Sequence, residues 1–113
     1  MYKRQTLADD LLPERALAGD PLARAALVNR IYRPLHAHAS ELLTTLWAYL
    51  DNGRSLEATA RELFVHPNTV RYRLKRVSEV IGYDATGARE SLILQSALII
   101  GSISESEAPA RRR

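Results

Sequence analysis

The chain has 113 residues, 46% of them hydrophobic, no cysteine, and 16 basic against 13 acidic side chains. That size supports one modest core, and the composition reads as a soluble globular domain without disulfides or thiolate metal sites, suited to a reducing, cytoplasmic setting. The net charge of +3 decides nothing, because Arg111, Arg112 and Arg113 supply all of it; only the placement of charge can point to a partner.

The start, "MYKRQTLADD", has basic residues with no apolar stretch behind them, so it does not read as a signal peptide. No later run approaches the roughly 18–20 apolar residues that span a bilayer. Residues 1–19 are expected to form a separate N-terminal segment. Within it "LADDLLPERALA" reads as a short helix pair broken at Pro13. Asp20 then caps a helix that opens on Pro21, with Leu22, Ala26, Leu27 and Ile31 as its apolar stripe. Pro34 should stop or kink it.

"ASELLTTLWAYLDNG" follows, with Leu42, Leu43, Leu46, Trp47 and Leu50 at helical spacing and Gly53 as its stop. "SLEATARELF" is a short helix capped by Ser55, with Leu56, Ala60 and Leu63 facing inward. "PNTVRYRLKRVSEVIG" runs from Pro67 to Gly82, with His66 at its cap. The last helix, about Ala88 to Ile103, is apolar around most of its circumference. It is therefore either a central core helix or an interface. Residues 104–113 read as a disordered basic tail. The expected fold is all-α, a small helical bundle over residues 20–103.

Helices at about 55–63 and 67–81, joined by a short turn, form a helix-turn-helix. Ala60 is small where the two would cross, and Leu63 and Val65 face Val70, Leu74 and Val77. On a helical wheel Val70, Leu74, Val77 and Ile81 share one edge, while Asn68, Tyr72, Lys75 and Arg76 lie opposite. From Phe64 to Val77 there are four basic residues and no acid. An isolated basic helix is usually just solvated; the turn spacing and the missing acids favour double-stranded DNA as the partner. By reach, Asn68, Arg71, Tyr72 and Lys75 are expected at base edges in the major groove. Ser55, Thr59, Thr69, Arg73 and Arg76 are expected at the phosphate backbone, and His66 and Pro67 at the helix start. A lone helix-turn-helix reads few base pairs, so a homodimer is expected, with Leu94, Leu98, Ile99 and Ile103 at its interface, shared with Leu27, Ile31 and Tyr32. The competing expectation is a helical interaction module whose basic helix binds an acidic protein.

Nothing resembles a nucleophile with its base or a glycine-rich phosphate loop, so no catalysis and no cofactor is expected. His36 and His38 would diverge on a helix and lack a third ligand, so no metal site is expected there.

Over Leu42 to Ile103 the residues also match a known pattern. It stands here as Leu43, Thr45, Leu46, Tyr49 and Leu50, then Ala60, Leu63, Val65, His66, Asn68, Thr69, Val70, Tyr72, Arg73 and Leu74, then Gly82 and Asp84. On these the chain resembles the C-terminal helix-turn-helix domain of PucR/CdaR-type bacterial transcription regulators, with a Fis-like helix-turn-helix. The resemblance implies a sequence-specific DNA-binding domain. It also implies that a full-length protein carries an effector-sensing region upstream. This chain would then be a C-terminal piece or a short member, with 1–19 as the junction.

Overall fold

A computed structural model describes residues 11–107. Seven α-helices and one π-turn follow in order: α1 (Leu12–Leu17), α2 (Pro21–Leu27), the π-turn (Val28–Tyr32), α3 (Arg33–His38), α4 (Ser40–Asp51), α5 (Leu56–Leu63), α6 (Pro67–Ile81) and α7 (Ala88–Glu107). The fold is all-α, with no strand among the described residues.

Local chemistry sets most boundaries. Asp20 Oδ1 accepts from the amides of Leu22 at 2.9 Å and Ala23 at 3.4 Å, ahead of Pro21 at the first helical position. Ser55 Oγ accepts from the Ala58 amide at 3.1 Å and starts α5. Such caps satisfy amides that the first helical turn leaves without partners. Gly82 closes α6 at φ 81°, a left-handed conformation that costs glycine nothing. Pro13 stands in the first turn of α1; residues 1–10, where the first helix of the expected pair would lie, are outside the described residues.

Pro34 does not stop its helix. The chain stays helical from α2 into α3, and the turn before the proline widens, with the Arg33 amide donating to the carbonyl of Val28, five residues back. Proline cannot donate to the carbonyl four residues earlier and its ring crowds that group; one extra residue in the turn gives it room. The widened turn also shifts the buried stripe to Ala23, Leu27, Val28, Ile31, Tyr32 and Leu35. Leu22, expected in that stripe, is 76% exposed.

One continuous core joins Leu12, Ala16, Leu27, Ile31 and Leu35 to Leu46, Val70, Val77, Leu94 and Leu98. Helix α4 packs on α3, α5 and α6 and also touches α7. Helix α7 seats against the π-turn, α2 and α1, where Gly101 meets the ring of Tyr32. Arg89 of α7 pairs with Glu14 of α1 at 2.6 Å. Helix α1 thus packs on the same core as α2 and α7, and residues 104–107 continue α7.

Burial also corrects the expected dimer interface. Leu94 and Leu98 are fully buried within the chain, as are Leu27 and Ile31, and Tyr32 is nearly so. Only Ile99 and Ile103 of the original four reach the surface, 45% and 52% exposed.

Candidate nucleic-acid interface

Helices α5 and α6 are joined through Phe64, Val65 and His66. Phe64 takes a left-handed conformation, φ 58° and ψ 44°, and the Val65 amide turns back to the carbonyl of Ala60 at 3.0 Å. This pattern ends a helix by satisfying its last carbonyls, usually at glycine. Here a phenylalanine holds the position with its side chain 93% exposed. His66 then caps α6, its Nδ1 accepting from the Asn68 amide at 2.9 Å, with Pro67 first in the helix.

Helix α6 divides cleanly. Val70 and Val77 are fully buried and Leu74 nearly so, holding the helix to α3, α4 and α5. Asn68, Arg71, Tyr72, Lys75 and Arg76 are exposed. Arg71 Nη1 donates to Asn68 Oδ1 at 2.5 Å. That bond occupies one acceptor site on Asn68, so the pair presents mainly N–H donors outward. Tyr72 flanks this ridge on the side of α4, beside Thr69 and Arg76. Arg71 and Lys75 flank the other side, facing Leu56, Asp84 and Thr86.

Three residues expected at the DNA backbone are engaged inside the fold. Thr59 is fully buried, its Oγ1 donating to the carbonyl of Ser55 at 2.7 Å. Ser55 spends its hydroxyl on the α5 cap and is half-buried. Arg73 turns inward: Nη2 donates to Glu41 Oε2 at 2.8 Å and Nη1 to Thr45 Oγ1 at 3.3 Å, leaving its side chain 20% exposed. Arg76 remains at the surface, where Glu79 at 2.5 Å raises its already high pKa through a hydrogen bond and then through charge.

The helices hidden from this ridge are held by local electrostatics. The hydroxyl and amide of Thr86 keep the Asp84 carboxyl below its ordinary pKa and so order the α6–α7 loop. The guanidinium of Arg54, itself left-handed at φ 65°, ties α4's end to that loop by donating to the carbonyl of Thr86 at 3.0 Å. Neither Arg54 nor Phe64 stood out in the sequence; both sit just past helix ends, and only the two helix-stopping turns there single them out.

His36 does not gather ligands. Its ring stacks on Tyr32 with centroids 5.3 Å apart and its Nε2 lies 3.6 Å from Glu105; the side chain of His38 lies outside the described residues. No group of three or more potential ligands capable of holding a metal occurs among the described residues. No described helix is long and apolar enough to cross a membrane.

A bundle that buries one edge of a proline-started helix and turns donors outward from the other is a helix-turn-helix domain of the kind found in transcription regulators. Residues 42–100 match the PucR C-terminal helix-turn-helix domain, and the chain belongs to that family. It is 51% identical over 100 residues to an uncharacterized protein of Mycobacterium tuberculosis, covering 88% of this chain and 24% of that one. The carbohydrate diacid regulator of Escherichia coli is 40% identical over 57 residues, half of this chain and 15% of its own length. The crystal structure of a regulator of polyketide synthase expression from Bifidobacterium adolescentis superposes with a TM-score of 0.80 at 49% identity, over 85% of this chain and 38% of that one. The chain thus spans about a quarter of the length of the first of these relatives.

Proposed function

We propose that this chain binds double-stranded DNA by placing α6 in the major groove, as the DNA-binding part of a transcription regulator. The observation that carries the reading is the ridge Asn68–Arg71–Tyr72–Lys75, exposed and free of acids on a helix whose opposite edge is buried. Arg71, steadied by Asn68, is suited to guanine O6 and N7, which accept paired N–H donors. Asn68 and Lys75 extend that donor row, and Tyr72 reaches the same groove from its α4 flank. Thr69 and Arg76 serve the phosphates.

The reading includes a homodimer, because two copies related by a two-fold axis would supply two half-sites about one helical turn apart. Ile99 and Ile103 of α7, with Leu17 of α1 at 73% exposure, line one apolar groove. They replace Leu94 and Leu98 as the contact surface. By family likeness the rest of a full-length protein would lie upstream and sense an effector, and DNA as the target places the protein in the cytoplasm.

Selection from a random duplex pool tests the reading. Enriched fragments should share a consensus in repeated half-sites. Retention of acidic proteins with no enriched DNA motif would instead support the interaction-module alternative and sink this one. Sedimentation at rising concentration tests the dimer, which Ile99→Glu should weaken.

A further inference from the structure

Among the arginines of α6, Arg73 is the one the fold draws inward. Its fork grips two groups of α4 that are very different in exposure. One is the hydroxyl of Thr45, which is fully buried and donates in turn to the carbonyl of Glu41 at 2.9 Å. The other is the carboxylate of Glu41, on the first turn of α4 with its side chain 69% exposed. Both Glu41 and Arg73 line the groove shared with Thr69, Tyr72 and Arg76. A carboxylate thus stands at the edge of the groove beside Tyr72 and Arg76, and it already holds Arg73.

An arginine so placed has two competing anions, the Glu41 carboxylate and a phosphate entering the groove. The buried Thr45 hydroxyl favours the first, because leaving it would uncouple a hydrogen-bonded polar group from inside the fold. We propose that Glu41 is a restraint on Arg73, withholding its guanidinium from the DNA backbone, and that Arg73 is a positioning residue which fixes α6 against α4. This rests on the DNA-binding reading. Binding then depends on the exposed ridge, and the sequence-independent attraction that a further phosphate contact would add is kept out.

The test is the salt dependence of binding to a mixed-sequence duplex, using the whole chain and its Glu41→Gln, Arg73→Gln and double variants. Each phosphate neutralised on B-DNA contributes about 0.9 to the slope of log affinity against log salt. Glu41→Gln keeps an acceptor for the fork but loses the charge, so Arg73 becomes free to reach a phosphate. Its slope should steepen by about 0.9, which over a fourfold rise in salt is about 3.5-fold more affinity lost. Arg73→Gln should keep the slope of the unaltered chain, and the double variant should return to it.

A Glu41→Gln slope equal to the unaltered chain's would overturn the restraint. So would a steeper slope that persists in the double variant, which would mean that Glu41 acts by its own repulsion. A shallower slope in Arg73→Gln would show that Arg73 already contacts phosphate. Circular dichroism confirms that each variant is folded, and Glu41→Ala repeats the charge loss without the amide. If the unaltered chain shows no salt-dependent binding to duplex DNA, the DNA reading itself fails; if it binds and the slopes do not move as stated, the restraint alone fails.

Discussion

Replacing Gly101 by alanine should destabilise the domain, although the same change in most helices would do the opposite. Helix propensity alone favours alanine over glycine by about 1 kcal/mol in a helix interior. At this position, however, a Cβ would fall 2.2 Å from Cγ, 2.5 Å from Cδ1 and 2.7 Å from Cβ of Tyr32. The first two contacts could be eased by turning the ring, but the Cβ of Tyr32 is fixed by the π-turn backbone. Helix α7 must therefore back away by about 1 Å, and overpacking of this kind costs about 1–3 kcal/mol. The net expectation is a loss of about 1 kcal/mol, which for a domain of this size lowers Tm by roughly 4–8 °C. Thermal and urea unfolding followed by far-UV circular dichroism would measure it. In a Tyr32→Gly background all three of these contacts are absent, so Gly101→Ala should there become neutral or stabilising. A Tm for the single variant at or above that of the unaltered chain would refute the packing argument.

Arg71→Ala should change which base is preferred at one operator position, at a cost of about 1–3 kcal/mol, while Arg76→Ala should weaken binding to all sequences alike; equal loss of selectivity in both would dissolve the division between them. His66→Ala should lower stability by about 1 kcal/mol through loss of the α6 cap and His66→Asn should retain most of it, with urea midpoints as the measure and equal losses as the contrary result. The carboxyls of Glu14, Asp20 and Asp84 are held below their ordinary pKa values, Glu14 and Asp20 chiefly by hydrogen bonds from Arg89 and Arg15, Asp84 chiefly by its bond from the Thr86 hydroxyl. Their contribution is complete above the usual carboxylate range of about 4 and is lost as pH falls through the lower folded values. Acid titration of the urea midpoint should therefore be flatter in Asp20→Asn, and an unchanged profile would count against it.

What the sequence disclosed was mostly local. Asp20, Ser55, His66 and Gly82 act within a few residues of themselves, so their identities and neighbours were enough to read the helix ends. The wheel of α6 also separated Val70, Leu74 and Val77, which are buried, from Asn68, Tyr72, Lys75 and Arg76, which are exposed. It could not see Glu41, which lies 32 residues from Arg73 along the chain, so Arg73 looked like a surface cation. Helix α7 posed the reverse problem. Its apolar residues go almost all the way round, and only the position of α1, α2 and the π-turn decides that Leu94 and Leu98 face inward while Ile99 and Ile103 do not. Pro34 is a third case: of the stop and the kink its sequence allows, the stop does not occur, and the one-residue widening that carries the helix past it has no signature in composition.

The single core running from Leu12 to Leu98 has a consequence for how such a domain can be inherited. The pattern shared across the family begins at residue 42, yet Leu27, Ile31 and Leu35 are as deeply enclosed as Leu46 or Leu94. A gene fusion joined at residue 42 would carry the helix-turn-helix away from part of the hydrophobic core on which it rests. Exchange of this module between proteins therefore has to carry α1–α3 with it, and loss-of-function alleles should accumulate in those helices although the exposed ridge lies on α6.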